Sequence, residues 1–487
     1  MEILEDSAAP MSPLSQYFNT SAMCVSVLGF IELEAPISAS HAMNIGTHVL
    51  IPANPRFSSI MVKEKWFGER KWKMVEVNLE DHIYTPKFPV DLSPYEYDAY
   101  FDEYATNTAT KPFSQSIPLW EIHVFNYPTT HAPCTLIFKV HHSIADGFCL
   151  MNTLLSFLKR ADDPSLPLTF PSRKRSKQPE NAHDFGRLSH FPACLFLSLR
   201  NFLSNFGYSI ANTFVEDDPT PIKHEGDSMQ LVKPIAISTM TFSLDQIKQI
   251  KTKLNARVND VITGIIFLGI RLYMQEHSPD SWEANSSALI LLNTRKAKAY
   301  KSVQEMVKTD SDVPWGNRIA FLPVPIPKLM DSTLSTAPLE FVKEAKKNIM
   351  LQRSPLSVFM AAKVFDMLKH VTGPEMGAKL FKRKLNNSST IISNMIGPTE
   401  KMALVNRPVK GLYFTVPGVP QSLIITIVSY MGDLRIVFGG EKCFIDLHKL
   451  KACVEDAFQR MLIKQDTAIY TPIMLFKSRG VMRYIPS

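Results

Sequence analysis

Residues 141–147 read His-His-Ser-Ile-Ala-Asp-Gly and lie at the junction of a predicted strand and a predicted helix. Residues 134–140 before them are mostly apolar and rich in β-prone side chains, which predicts a buried strand. From residue 148 to residue 158, apolar side chains recur at helical spacing. The fold must therefore contain a strand, a short loop and a helix, with two adjacent imidazoles fixed by the loop.

The two histidines have different expected roles. Side chains alternate between the faces at the end of a strand, so His141 and His142 should point in opposite directions. A neutral imidazole is the side chain best suited to take a proton from a hydroxyl near neutral pH. We expect His142 to be the general base and His141 to turn inward and hold the loop. The alternative is that both are structural histidines, hydrogen-bonded within the loop.

The acidic residue of the motif has two candidate roles. Asp146 either orients His142 directly or forms a salt bridge that fixes the loop. Arg295 is the candidate partner for such a bridge, because it follows the apolar, strand-like residues 288–292. Gly147 would permit a backbone conformation or a close approach that a Cβ atom would block.

Three further segments contain residues with a predictable structural or functional role. Trp120, in Pro-Leu-Trp, is expected to be a buried aromatic, because large aromatic side chains mostly supply buried area. Asn259 and Asp260 open a predicted helix, so each is either a helix cap or an active-site residue, and Asn259 is a candidate oxyanion donor. Residues 393–398 read Ser-Asn-Met-Ile-Gly-Pro, and their Gly-Pro pair predicts a turn.

These motifs, in this order, resemble those of the wax ester synthase/diacylglycerol acyltransferase family in its plant form. That family lies within a superfamily of acyltransferases sharing His-His-x-x-x-Asp-Gly. The resemblance implies an α/β fold of two chloramphenicol-acetyltransferase-like mixed α/β subdomains, with a substrate tunnel at their interface. It also implies an O-acyltransferase that joins a long-chain acyl group to a fatty alcohol, with diacylglycerol as a second acceptor. Acyl-coenzyme A is then a co-substrate, no cofactor is expected, and His142 acts without a covalent intermediate.

Composition shifts divide the chain into four predicted parts. Residues 1–160 form an N-terminal subdomain with the histidine motif, and residues 216–487 form a C-terminal subdomain. Residues 161–190 are basic and proline-rich, which predicts a linker because they bury too little apolar surface to offset ordering. Residues 191–215 predict an amphipathic helix that is too interrupted by polar residues to span a bilayer. That helix either lies on a membrane or packs on the protein.

The C-terminal part predicts a second mixed α/β unit. Its predicted elements are helices at 258–273 and 359–368, strands at 288–292 and 318–323, and a hairpin of 422–430 with 434–438 that turns at Gly432.

Composition narrows the class of protein. The chain has 487 residues, 45% hydrophobic and 20% charged, which is typical of globular proteins. Its net charge of +7 accompanies no nucleic-acid motif, so it indicates a mild preference for anionic surfaces or the phosphates of coenzyme A. The six cysteines are scattered and no metal motif is present, which favours reduced thiols and no metal site. Cys149, among apolar neighbours, is expected to pack rather than react.

The N-terminus and the expected substrates indicate a cellular location. The acidic N-terminus has no signal-peptide core, and lipid substrates would suit the cytosolic face of the endoplasmic reticulum membrane, with the cell membrane as a second location. The oligomeric state stays open.

Rival functions are a soluble alcohol acyltransferase of the BAHD type, a peptide-synthetase condensation domain and a non-catalytic lipid-binding scaffold. The BAHD type is disfavoured because its Asp-Phe-Gly-Trp-Gly segment is absent; the nearest match, residues 437–441, lacks the Asp and the Trp.

Overall fold

A computed structural model describes residues 11–63, 70–169, 216–225, 231–278, 281–295, 315–328, 338–352 and 372–467. The predicted helices at 191–215 and 359–368 and the linker residues 170–190 lie outside the described residues. The structure has two large β-sheets and a two-stranded ribbon. This architecture confirms the mixed α/β fold with two sheet-based parts.

The seven-stranded sheet has the order β4-β5-β6-β1-β13-β12-β7, and the six-stranded sheet has the order β10-β9-β11-β14-β15-β8. The bounds of the strands are β1 (Ser26–Leu33), β2 (Ser59–Lys63), β3 (Arg70–Met74), β4 (Ile83–Tyr84), β5 (Trp120–Phe125), β6 (Cys134–His141), β7 (Lys159–Arg160), β8 (Ile235–Ser243), β9 (Ser287–Asn293), β10 (Ile319–Pro325), β11 (Thr390–Ile396), β12 (Met402–Leu404), β13 (Arg407–Thr415), β14 (Leu423–Tyr430) and β15 (Asp433–Glu441).

Helices cover both sheets. Their bounds are α1 (Pro13–Tyr17), α2 (Ala39–Ile45), α3 (Ile51–Ala53), α4 (Pro94–Thr110), α5 (Gly147–Phe157), α6 (Leu244–Lys253), α7 (Val258–His277), α8 (Glu340–Gln352), α9 (372–386) and α10 (Leu447–Thr467). A π-helical turn, Gly46–Leu50, joins α2 to α3, and short 3₁₀ turns occupy Pro55–Ser58, Leu79–Asp81 and Ser281–Glu283. Among the residues described, no helix is long and apolar enough to cross a membrane.

The elements predicted around the histidine motif and in the C-terminal part are present. β6 and α5 flank the motif, and α7, β9 and β10 match the predicted helix and strands within a few residues. The hairpin of β14 and β15 is also confirmed. Its two turn residues, Met431 and Gly432, both have positive φ (52° and 86°), which is the backbone of a tight hairpin turn.

One strand pairing crosses the predicted domain boundary. β13 lies after the linker in sequence but pairs antiparallel with β1, so that Leu28 faces Thr415 across the two strands. β12 then pairs with β13, and both belong to the seven-stranded sheet. The linker therefore does not separate the two sheets in space: the chain crosses into the second sheet and returns to complete the first.

Candidate active site

The histidine loop is held at its N-terminal end by two backbone hydrogen bonds. The His141 amide donates to the Leu119 carbonyl (2.9 Å), and the His142 amide donates to the Val25 carbonyl (2.8 Å). In the middle of the loop, the Ile144 carbonyl accepts from Arg56 Nη1 and Trp315 Nε1, both at 2.9 Å. The loop is thus fixed by residues from well-separated parts of the chain before any side chain of the motif is considered.

His142 is buried and points toward the six-stranded side of the molecule. Its Nδ1 lies 2.8 Å from Asn317 Oδ1, and its ring packs against Phe18 with centroids 4.8 Å apart. Among the described residues, Nε2 has no hydrogen-bond partner. Burial lowers the pKa of His142 below its ordinary value, against the opposing effects of the Asp146 charge and the Asn317 hydrogen bond. A neutral imidazole with an unengaged Nε2 can accept a proton.

His141 points the other way, into the interior. Its Nδ1 accepts from the Ser143 amide (3.1 Å) and lies 2.8 Å from Ser143 Oγ, while Nε2 is 3.7 Å from Cys24 Sγ. Burial, reinforced by the nearby His142, lowers the pKa of His141 to about 3. The opposite orientations expected of the two histidines are therefore present, and both of the His141 ring nitrogens are engaged within the fold.

Asp146 is paired with Arg295 and does not contact His142. Arg295 Nη1 lies 2.6 Å from Asp146 Oδ2, and both side chains are inaccessible to solvent. The same oxygen accepts from the Arg318 amide (2.9 Å), while Oδ1 accepts from the Cys149 amide (3.1 Å) and caps α5. Of the two roles considered for Asp146, the structure thus shows the salt bridge, which joins the end of β6 to the end of β9.

Gly147 serves a close approach rather than an unusual backbone angle. A Cβ atom at this position would lie 3.0 Å from Met395 Sδ, and the residue is not among those with positive φ. Met395 lies on β11 of the six-stranded sheet. The absence of a side chain at residue 147 therefore lets the two sheets approach one another beside the histidine loop.

An apolar cavity begins beside the same loop. It encloses about 690 Å³ of empty space including its mouth, and Val140 and Gly147, which flank the loop, both line it. Its walls come from one face of β1, β6 and β13 and from α5, and Met395 contributes from the other sheet. Thr153 is one of few polar groups in the lining.

The remaining predicted residues lie in supporting positions. Asp260 Oδ2 accepts from the Arg257 amide (2.8 Å) at the start of α7, so this carboxylate is a helix cap. Asn259 Oδ1 accepts from Asn394 Nδ2 (3.0 Å), which brings two of the sequence motifs together. Neither residue forms a hydrogen bond with His142, and the role of Asn259 as an oxyanion donor stays a prediction. Trp120 is fully buried and donates to the Phe57 carbonyl (2.8 Å), as a core aromatic does.

Cys149 is a packing residue, as expected. It is fully buried, and Arg295 Nη2 lies 3.1 Å from its Sγ. Burial raises the pKa of the Cys149 thiol far above its ordinary value, so it stays protonated. Within the described ranges, no group of three or more His, Cys, Asp or Glu side chains is arranged to hold a metal ion.

Sequence reasoning missed Asn317 and Ser15. Asn317 Nδ2 donates to the His142 carbonyl (2.7 Å) and to Ser15 Oγ (2.8 Å). Neither residue stands in a motif that indicates catalysis. One signal was available for Asn317, because it lies just before β10, the strand paired with the strand that precedes Arg295.

Two family models match the chain. The wax ester synthase/diacylglycerol acyltransferase catalytic domain matches residues 51–262, and the WS/DGAT C-terminal domain matches residues 315–462. Similar proteins from Arabidopsis thaliana include wax ester synthase/diacylglycerol acyltransferase 5, which is 27% identical over 472 residues and 92% of each chain. Wax ester synthase/diacylglycerol acyltransferase 11 is 26% identical over 461 residues, or 91% of this chain and 92% of the relative.

Solved structures share the fold. The wax ester synthase/diacylglycerol acyltransferase from Marinobacter aquaeolei VT8 superposes with a TM-score of 0.56 at 14% identity, over 94% of this chain and 100% of that chain. The first condensation domain of the CDA synthetase gives a TM-score of 0.54 at 10% identity, over 92% and 93%. The two-sheet architecture is therefore found both in a lipid acyltransferase and in a condensation domain.

Proposed function

Because the chain belongs to the wax ester synthase/diacylglycerol acyltransferase family, a family of acyltransferases, we propose that it transfers a long-chain acyl group from acyl-coenzyme A to the hydroxyl of a fatty alcohol. The product is a wax ester. Diacylglycerol is a second, weaker acceptor and gives triacylglycerol. Acyl-coenzyme A is a co-substrate, and the proposed reaction needs no other cofactor.

In the proposed mechanism, His142 Nε2 takes the proton of the acceptor hydroxyl as its oxygen attacks the thioester carbonyl. The tetrahedral intermediate collapses, the ester forms, and the coenzyme A thiolate leaves and takes the proton back from the imidazolium. No bond to the enzyme is made. General-base assistance contributes on the order of a hundred- to ten-thousand-fold, and the alignment of both substrates contributes more.

The observation that carries this proposal is the environment of His142. Its Nδ1 is occupied by Asn317, its Nε2 is unengaged among the described residues, and burial keeps the ring neutral. Cys149, the candidate for a covalent nucleophile, is a buried thiol whose raised pKa disfavours the thiolate. These features support direct attack by the acceptor oxygen over an acyl-enzyme.

The apolar cavity supports long-chain substrates. It starts at the two residues that flank the histidine loop and is lined almost entirely by apolar side chains. An extended hydrocarbon chain placed there gains about 0.8 kcal/mol for each buried methylene. A chain bound in this way has its reactive end near the loop, where His142 lies.

Membrane association belongs to the same proposal. The substrates are lipids, the net charge is +7, and residues 191–215 combine apolar and polar residues in a helical pattern. We place the protein on the cytosolic face of the endoplasmic reticulum membrane, with the cell membrane as a second site. Sedimentation with vesicles that contain anionic lipid, compared with neutral vesicles, tests the association, and equal recovery in both supernatants would contradict it.

The catalytic proposal is tested by competition. Radiolabelled palmitoyl-coenzyme A is supplied with equal amounts of hexadecanol and diacylglycerol, and the products are separated by chromatography. We expect mainly wax ester from the native protein and no ester from a folded His142→Ala variant. Near-normal turnover by His142→Ala would remove the general-base assignment. A native protein that binds these lipids but makes no ester from either acceptor would be a lipid-binding scaffold.

A further inference from the structure

The Asn317 side chain makes three hydrogen bonds, two of them to His142. It is 3% exposed. Its Nδ2 donates to the His142 carbonyl (2.7 Å) and to Ser15 Oγ on α1 (2.8 Å), and its Oδ1 lies 2.8 Å from His142 Nδ1. The same amide therefore contacts both the main chain and the ring of one residue.

The orientation of the amide follows from chemistry. The His142 carbonyl can only accept a hydrogen bond, so the NH₂ group of Asn317 must face it. A flipped amide would place two oxygens against each other at hydrogen-bond distance. With NH₂ so placed, Oδ1 faces the ring, and Nδ1 must carry the hydrogen that this oxygen accepts.

We infer that Asn317 is a positioning residue for His142: its amide fixes the imidazole in the tautomer protonated on Nδ1 and leaves the Nε2 lone pair for the acceptor hydroxyl. The inference rests on the proposed function, since it concerns the base of that reaction. A ring in the other tautomer presents an N–H to the hydroxyl and cannot take its proton. The base is thus completed by a residue two positions before β10, which belongs to the opposite sheet from the histidine motif.

The choice of a neutral amide has a further effect. The charged and titratable groups near His142 are Asp146, which is held by Arg295, and the neutral His141. No carboxylate contacts the His142 ring among the described residues. A carboxylate in the place of Asn317 would stabilise the imidazolium and keep the ring protonated at higher pH. The amide orients the ring without that charge.

Two substitutions separate orientation from charge. Asn317→Leu removes the acceptor at Nδ1, and we expect kcat to fall roughly 10- to 100-fold with KM little changed, because ring orientation is lost and substrate contacts are kept. Asn317→Asp keeps an acceptor at Nδ1 and adds a charge, but it loses the NH₂ group that donates to the His142 carbonyl. We expect it to recover much of kcat at high pH, while the acid limb of kcat/KM moves up by roughly one pH unit.

Asn152→Ala is the matched control. Asn152 is another asparagine with 3% exposure whose Nδ2 donates to a backbone carbonyl, that of Phe148 (2.9 Å), without a contact to His142. A structural role for Asn317 predicts that Asn317→Leu, like Asn152→Ala, loses stability and keeps the native kcat. Our inference requires that only the Asn317 variants change the profile or kcat. If Asn317→Leu does not fold, the smaller Asn317→Ala variant, which also removes the acceptor at Nδ1, takes its place.

The outcomes also separate this inference from the proposed function. Activity in His142→Ala would overturn the proposed base and this inference with it. An inactive His142→Ala, together with native kcat in a folded Asn317→Leu, would overturn only the role of Asn317.

Discussion

His141 and His142 are neighbours in sequence but have opposite surroundings, and this difference sets their chemistry. His141 has both ring nitrogens engaged inside the seven-stranded side, whereas His142 has Nδ1 bound to the other side and Nε2 unengaged among the described residues. Strand alternation is enough to predict that the two rings diverge. It does not predict which groups each ring meets, because those groups lie far away in sequence.

The buried neutral state of His141 makes stability depend on pH. Its pKa is about 3 in the folded protein and 6.5 as the ordinary value, so the unfolded chain binds the proton first. The contribution of His141 to the free energy of unfolding is therefore fully present above about pH 6.5. It is lost as pH falls toward 3, by about 1.4 kcal/mol per pH unit. We expect His141→Asn to lower the slope of the free energy of unfolding between those limits by about this amount, measured by urea denaturation at several pH values.

His48→Asn is the control for that measurement, because it makes the same substitution at an exposed histidine. In His48→Asn, the slope of the free energy of unfolding against pH should match that of the native protein. A His141→Asn variant with the native slope would show that His141 is not buried in its neutral form.

Asn317 shows where prediction at this scale stops. A salt bridge was one of the two roles predicted for Asp146, and the strand before Arg295 indicated its partner, because both clues are local. Asn317 is one polar residue before an ordinary strand, and its importance arises only when β10 packs beside the histidine loop. A long-range contact of this kind leaves no local pattern in the sequence.

At the scale of elements, a glycine on β1 determines the space in the cavity. Gly29 lines the cavity, and a Cβ atom there would have one neighbour within 4 Å, the Phe138 carbonyl oxygen at 4.0 Å. Glycine inside a strand often marks a close approach by a ligand. We expect Gly29→Leu to fold normally, to fill part of the cavity and to lower kcat/KM for palmitoyl-coenzyme A on the order of tenfold relative to octanoyl-coenzyme A.

Thr153→Val provides the comparison, since it keeps the volume of a cavity residue and removes one hydroxyl that donates to the Cys149 carbonyl (3.1 Å). Its chain-length preference should stay native. If Gly29→Leu also kept the native preference in a folded protein, the cavity would not hold the acyl chain.

Local patterns were enough for many elements and insufficient for their arrangement. The periodicity of β6, α5 and α7 and the turn at Gly432 were readable because each depends on residues close in sequence. The pairing of β13 with β1 was not predicted, since antiparallel strands this far apart carry no register signal except their apolar character. The predicted tunnel likewise depended on resemblance, and the structure shows a cavity beside the loop.

At the scale of the whole molecule, buried ion pairs join the two sheets. Besides Asp146 and Arg295, Glu32 on β1 accepts from Arg435 on β15 through both oxygens (2.6 and 2.9 Å), with side-chain exposures of 5% and 14%. Arg435→Met would leave the Glu32 carboxylate buried without its partner, and we expect a loss of about 3–5 kcal/mol in the free energy of unfolding. The double variant Glu32→Gln/Arg435→Met should be more stable than Arg435→Met alone.

An exposed pair on α8 gives the baseline. Lys343 and Glu340 are 56% and 50% exposed, so Lys343→Met should change stability by about 0–1 kcal/mol. Equal effects of Lys343→Met and Arg435→Met in urea denaturation would mean that the pair between the sheets is as well solvated as one on the surface.

The return of β13 to the first sheet bears on how the protein is made. On the ribosome, β1 emerges early, but the strand that pairs with its far edge, from Arg407 to Thr415, is translated near the end. At a translation rate of about 5–20 residues per second, that edge of β1 stays unpaired for on the order of tens of seconds. An open apolar edge is a template for pairing with other chains. We therefore expect chaperones that bind nascent chains to raise the yield of soluble protein when they are co-expressed with it in a foreign host.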